Sequence, residues 1–259
     1  MCTIVAIKAA ASLVVAANRD EFYARAATAP RRLRHDPVVV AGVDVESGGT
    51  WMGANEAGLF VALTNQRQYE GADPARASRG PLVLDALART EVAAIDALLE
   101  ATDARDYNGF NLLYGDAREL RVAYARHDRA EISVERLDDG VWVLPNDRIG
   151  SPEFPKSGRA HALVDPHARE GWSTLRTRLP EALADHDRPP LEALPTPPPG
   201  SIFTREMLQA IQSICVHTPV YGTRSATLLE LSPGRVEHYL YADGPPCEAT
   251  FEDVTELFS

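Results

Sequence analysis

The sequence is short of positive charge. Its 26 lysines and arginines stand against 37 aspartates and glutamates in 259 residues, a formal net charge of −11. Such a surface repels polyanions, which argues against nucleic acid and anionic membranes as partners. Cysteine is scarce too. Cys2, Cys215 and Cys247 form neither an even disulfide set nor a metal-ligand spacing. No apolar run approaches the ~20 residues that span a bilayer. The apolar run near the start is broken by Lys8 and has no basic leader, so no signal peptide is expected. The seven histidines contain no H-E-x-x-H pattern. His217 follows Cys215 closely enough to suggest a Cys/His pair, with a satisfied or solvated histidine as the plainer reading. No internal repeat is present. The one biased tract, residues 188–200, holds six of the nineteen prolines and reads as a surface loop. A cytoplasmic protein with neither metal nor cofactor is expected, and its oligomeric state is open.

What is present is an ordinary globular composition, 45% hydrophobic and 24% charged. Residues 1–259 fit one domain with a sizeable core. Met1-Cys2-Thr3-Ile4-Val5-Ala6-Ile7 and Leu13-Val14-Val15-Ala16-Ala17 read as paired strands. Residues 21–36 read as a basic polar loop, able to gather anions or simply solvated. A strand at 38–42 precedes the turn Ser47-Gly48-Gly49-Thr50. Residues 51–65 form a hairpin turning at Asn55-Glu56-Ala57-Gly58. Pro81 starts a short helix, and Thr90 caps a second one. Strands at 110–114, 120–124 and 132–136 form an antiparallel meander, and 141–144 is another strand. Helical periodicity covers 155–187, and Thr204 caps a helix running to Ile214. Strands at 224–231 and 235–241 follow, with an edge strand expected in the tail from Cys247 to Phe258. Short hairpin connections imply an α+β fold with mainly antiparallel sheets.

The second strand ends in Asn18-Arg19-Asp20-Glu21, and hairpin pairing would bring these residues beside Cys2. Initiator methionine is usually removed before a small residue, so a mature chain beginning at Cys2 is expected. A thiol and a free α-amine on one residue make a nucleophile with its own base. Their ordinary pKa values, about 8.5 and 7.7–8.0, lie near neutrality. Arg19 would favour the thiolate and Asp20 would orient the amine. The competing reading takes Cys2 as a small buried apolar residue at a strand start. Four polar residues at a strand end without partners or purpose would be unusual, which favours function.

Met1-Cys2-Thr3-Ile4-Val5 together with Ala16-Ala17-Asn18-Arg19-Asp20-Glu21-Phe22-Tyr23 resembles the NRDE family, which includes the transport and Golgi organisation proteins. Residues 47–53, 58–67 and 222–225 resemble its later blocks. That family is similar in fold to N-terminal-nucleophile hydrolases of the bile-salt hydrolase and penicillin V acylase type. The resemblance implies a four-layer αββα sandwich with Cys2 in a cleft between two sheets. It also implies a catalytic set of Cys2, Arg19, Asp20, Asn65, Asn146 and Arg224. Asn65 ends a strand where its amide can serve an oxyanion, and Asn146 ends one likewise, though a turn-closing asparagine fits either position. Arg224 can equally be a surface strand charge. Asn18, Glu21 and Trp51 are candidates for substrate binding. Two functions follow as expectations. One is a cysteine amidohydrolase or acyltransferase acting on a non-peptide amide. The other is a non-catalytic carrier of a lipid-like or haem ligand on the same fold.

Overall fold

The computed structural model describes residues 2–259, so the expected removal of Met1 lies outside the described residues. Residues Cys2–Ala9 form β1 and Ser12–Phe22 form β2, paired antiparallel as expected. Their tight turn places Ala10 at φ 47°, a conformation an L-residue takes only when held. Asp139 holds it, accepting from the Ala10 amide at 2.9 Å and from Lys8 Nζ at 3.1 Å.

The remaining strands run in chain order. They are β3 (Arg31–His35), β4 (Val38–Ala41), β5 (Met52–Asn55), β6 (Phe60–Asn65), β7 (Phe110–Gly115), β8 (Leu120–Ala125), β9 (Ile132–Leu137), β10 (Gly140–Leu144), β11 (Tyr221–Ser232), β12 (Arg235–Ala242) and β13 (Glu252–Asp253). One sheet has the order β10-β1-β2-β11-β12-β13, the other β3 through β9 in sequence. All of their ladders are antiparallel. Helices α1 (Gly80–Leu87) and α2 (Val92–Glu100) precede β7. Helices α3 (Pro155–Val164), α4 (Trp172–Leu183) and α5 (Arg205–Ala210) lie between β10 and β11.

Side-chain alternation along the strands sorts the core into layers. Ile4, Ala6, Leu13, Val15 and Ala17 from the first sheet meet Ala54, Phe60, Ala62, Leu113 and Val122 from the second. The other faces each carry helices. Val5, Ile7, Val14 and Ala16 pack with Leu175, Leu179 and Leu183 of α4. Val61, Leu112 and Tyr114 pack with Val83, Leu87 and Ile95 of α1 and α2. The order is helix, sheet, sheet, helix. This is the expected α+β sandwich.

The structure corrects several local expectations. Residues 21–36 are not one loop, because β2 continues through Phe22 and Arg31–His35 forms an edge strand against β4. Thr90 caps nothing. Helix α2 starts at Val92 behind Glu91, with no side-chain cap. The helical stretch 155–187 is two helices separated at residues 165–171, and α5 stops at Ala210. Thr204 does cap α5, its Oγ1 accepting from the Met207 amide at 3.2 Å. The 51–65 hairpin turns where expected, with Gly58 at φ 74° against the Arg235 backbone. Fully buried Asn55 ties that turn to the end of α1. Its Nδ2 donates to the carbonyls of Leu87 (2.9 Å) and Arg89 (2.6 Å), while Oδ1 accepts from Ala57 and Leu59. Among the described residues no helix is long and apolar enough to cross a membrane.

Candidate active site

Cys2 begins β1 directly opposite Arg19 in the ladder with β2. Cross-strand partners present their side chains to the same face, which here is the face between the sheets. Cys2 and Arg19 therefore share a polar pocket of about 100 Å³ with Glu21, Trp51 and Asn65. The Arg19 guanidinium lies 4.3 Å over the Trp51 ring and 3.4 Å from Asp44 Oδ2. Only 5% of Arg19 is exposed, so aromatic face and carboxylate replace its water. Asp44 also accepts from Arg25 Nε at 2.6 Å and from the Ser47 amide at 3.1 Å. Burial works to raise the Asp44 carboxyl, yet these donors prevail and hold it below the usual range.

The Ser47–Thr50 loop reaches the pocket because Gly49 touches Gly80 at the start of α1. A Cβ on Gly49 would meet the Gly80 Cα at 2.5 Å. No larger residue fits there without moving the helix.

Asp20 follows Arg19, so its side chain leaves the opposite face of β2, toward α3. Thr223 Oγ1 donates to Asp20 Oδ1 at 2.7 Å, and Lys156 Nζ stands 3.9 Å from Oδ2. Both the Asp20 and Lys156 side chains are inaccessible to solvent. Burial raises the Asp20 carboxyl, opposed by Lys156 and Thr223. Burial likewise lowers the Lys156 ammonium, opposed by Asp20. The Cys2 thiol is also raised, chiefly by burial, with Asp20 adding to the shift and Arg19 opposing it. Arg19 thus favours the thiolate as expected, but burial outweighs it and leaves the thiol above its ordinary range.

The other candidate residues separate. Asn65 ends β6 and lines both the polar pocket and a larger cavity beside it. Asn146 is fully buried behind it, donating from Nδ2 to the Asn65 carbonyl at 2.8 Å. Its Oδ1 is buried with no hydrogen-bond partner among the described residues. Asn18 points into the α4 layer, where Nδ2 donates to the carbonyls of Leu183 and Ile214, both at 2.9 Å. That makes Asn18 a bracket between segments. Arg224 occupies a bulge in β11 between Thr223 and Ser225, and Nη1 donates to the Tyr23 carbonyl at 2.7 Å. It lines neither the polar pocket nor the cavity beside it.

Sequence reasoning missed Asp44, Arg79 and Lys156. Arg79 sits at the junction of pocket and cavity. Lys156 had one signal: it is one of only two lysines in a chain rich in arginine. Lysine can shed its charge when buried, whereas arginine cannot.

The larger cavity, about 650 Å³, is walled mainly by apolar side chains. Phe22, Ile202, Met207 and Val220 line it and remain 48–64% exposed. Its outer wall comes from the segment between α4 and β11, where Leu194, Leu208, Ile211 and Val216 form a small separate core. The proline-rich tract feeds that wall. Glu21, Asn65 and Arg79 border cavity and pocket alike.

Comparison with solved structures agrees with this architecture. A mutant of the conjugated bile acid hydrolase from Clostridium perfringens superposes with a TM-score of 0.60 at 13% identity, covering 100% of this chain and 94% of that one. A Caenorhabditis elegans N-acylethanolamine-hydrolyzing acid amidase ortholog gives a TM-score of 0.54 at 13% identity, over 88% and 92%. At such identities the likeness is one of fold. In sequence, the chain is 31% identical over 231 residues to a Bos taurus "Transport and Golgi organization protein 2 homolog" and 30% identical to the Homo sapiens homolog. Each match covers 86% of this chain and 83% of the relative. The family described as Transport and Golgi organisation 2 matches residues 1–239. The chain belongs to the Transport and Golgi organisation 2 family, on an N-terminal-nucleophile hydrolase fold.

Proposed function

We propose that this protein is a cysteine N-terminal-nucleophile amidohydrolase, or an acyltransferase by the same chemistry, acting on a non-peptide amide with an apolar acyl chain. One observation carries the reading: the polar pocket holding Cys2 shares Glu21, Asn65 and Arg79 with a neighbouring, mainly apolar cavity of about 650 Å³. A chain laid in that cavity brings its carboxamide to the sulfur. Burial of about 25 cal/mol per Å² of apolar surface supplies the binding energy.

The reading requires Cys2 to be the first residue of the mature chain. Its α-amine takes the thiol proton, which a raised thiol pKa makes necessary. The sulfur attacks the carbonyl carbon as Arg19 offsets the growing negative charge. The Asn65 amide stabilises the oxyanion, and Asn146 holds the Asn65 backbone in place. The C–N bond then breaks, and the α-ammonium returns the proton to the leaving amine. Water, deprotonated by the same amine, cleaves the thioester. Asp20 and Lys156 lie behind the amine and set its local charge.

A series of fatty-acyl amides of increasing chain length tests this. Turnover should rise with chain length and vanish in Cys2→Ala, which should still bind the longer substrates. If no amide is cleaved while apolar ligands fill the cavity, a carrier on a hydrolase scaffold replaces the enzyme.

A further inference from the structure

Behind the Asp20 face of the first sheet, four soft or borderline ligands meet. The Cys215 sulfur lies 3.7 Å from that of Cys247 and 3.6 Å from His217 Nε2, and His217 Nε2 lies 3.3 Å from the Cys247 sulfur. One ligand atom each from His186, Cys215, His217 and Cys247 falls within 4.8 Å of all the others. A tetrahedral ion with bonds of about 2.3 Å to sulfur and 2.0–2.1 Å to nitrogen requires ligand–ligand edges of about 3.3–3.8 Å. The three measured separations fall in that range. The cysteines are free thiols, so the sulfurs approach without a bond between them.

The surroundings suit coordination. His186 Nδ1 lies 3.2 Å from the Cys215 carbonyl, which can only accept. That contact puts the proton of a neutral His186 on Nδ1 and leaves Nε2 with the lone pair, the usual arrangement behind a ligating histidine. The ligands come from three places in the fold. His186 follows α4, Cys215 and His217 precede β11, and Cys247 follows β12. An ion there would staple these three segments together. It would also brace the pocket indirectly. The Val216 amide donates to Thr223 Oγ1 at 2.9 Å, and that hydroxyl donates to Asp20.

We infer that His186, Cys215, His217 and Cys247 form a structural zinc site. Two thiolates with two imidazoles in a tetrahedral set select Zn²⁺ over harder divalent ions. Four protein ligands leave no open position, so the ion holds structure and does not carry catalysis. Binding converts two thiols to thiolates and releases two protons. The inference stands apart from the amidase reading, and none of the four ligands has a part in that chemistry.

The full chain, expressed with zinc and purified without chelator, tests it by elemental analysis and by cobalt substitution. About one zinc per chain is expected. Cobalt should give the visible bands of a tetrahedral ion and the charge-transfer absorption of thiolate ligands. Cys247→Ser and His217→Ala should lose the ion and show a lowered Tm. His186→Ala, at an exposed position, serves if either variant fails to fold. Cys2→Ala should keep the full zinc content, so loss of turnover cannot be mistaken for loss of metal. A reduced chain that takes up neither zinc nor cobalt overturns the inference. So does a Cys215–Cys247 disulfide in protein from native-like expression, with no uptake after reduction.

Discussion

Lys156 Nζ lies 3.9 Å from Asp20 Oδ2, and neither side chain is accessible to solvent. The pair sits one strand thickness behind Cys2, on the face of β2 opposite Arg19. At that separation it is not a tight hydrogen-bonded ion pair, and burial pulls the two groups toward neutrality from opposite ends of the pH scale.

The sign of the pH dependence follows. Asp20 has a folded-state pKa above its unfolded value of about 3.9, so its stabilising contribution is complete below about pH 3.9 and is lost as pH rises through the folded value. Lys156 has a folded-state pKa below its unfolded value of about 10.4, so its contribution recovers as pH climbs toward 10.4. Wild type minus the Asp20→Asn/Lys156→Met double variant, measured by urea unfolding across pH, should trace a valley. A flat difference would show that the pair keeps its unfolded-state titration.

The base can be separated from the nucleophile. A chain whose first residue is Cys2 should alkylate at Cys2 with a pH profile set by an amine near 7.7–8.0. One extra residue before Cys2 turns that amine into an amide. The profile should then move above 8.5, and amide turnover should fall by about 10²–10⁴-fold. Equal rates in the two chains would remove the α-amine from the mechanism.

Trp51 holds Arg19 by its ring face. Trp51→Leu keeps apolar volume but removes that contact, worth about 0.5–2 kcal/mol for a desolvated cation. Turnover should drop more than binding, because the guanidinium loses the ring that holds it on the Cys2 face of the strand. If kcat is unchanged while KM rises, Trp51 contacts substrate instead.

Asn55 lies far from the chemistry and tests the fold alone. Replacing it with Ala strands the buried Leu87 carbonyl and the buried Leu59 amide, at about 1–3 kcal/mol for each group left unsatisfied. Thermal unfolding should show a loss of several degrees, with activity per folded molecule preserved. A loss under about 0.5 kcal/mol would place it among neutral surface changes.

Met207 stands on the wall of the apolar cavity and is 48% exposed. Met207→Lys should leave the fold intact. Affinity for the longest acyl chains should fall about tenfold, with short-chain amides little changed. A uniform effect across chain lengths would mean that the cavity does not hold the acyl chain.

The strand alternation was legible residue by residue. Leu13, Val15, Ala17 and Arg19 fall on one face and Val14, Ala16, Asn18 and Asp20 on the other, as a period of two demands. Hairpin pairing of neighbouring runs followed from short connections, so the meeting of Cys2 with Arg19 was also readable. The same parity hid a consequence: adjacent Arg19 and Asp20 serve opposite faces of the sheet. Local order could not supply the rest. Asp44, Lys156 and the His186–Cys215–His217–Cys247 cluster owe their positions to segments that meet only once both sheets and the outer helices have packed. Periodicity records which face a side chain takes, since backbone geometry repeats along the chain. Which distant charge or thiol waits on that face is decided by burial of the whole core, a sum over contacts that no short window of sequence contains.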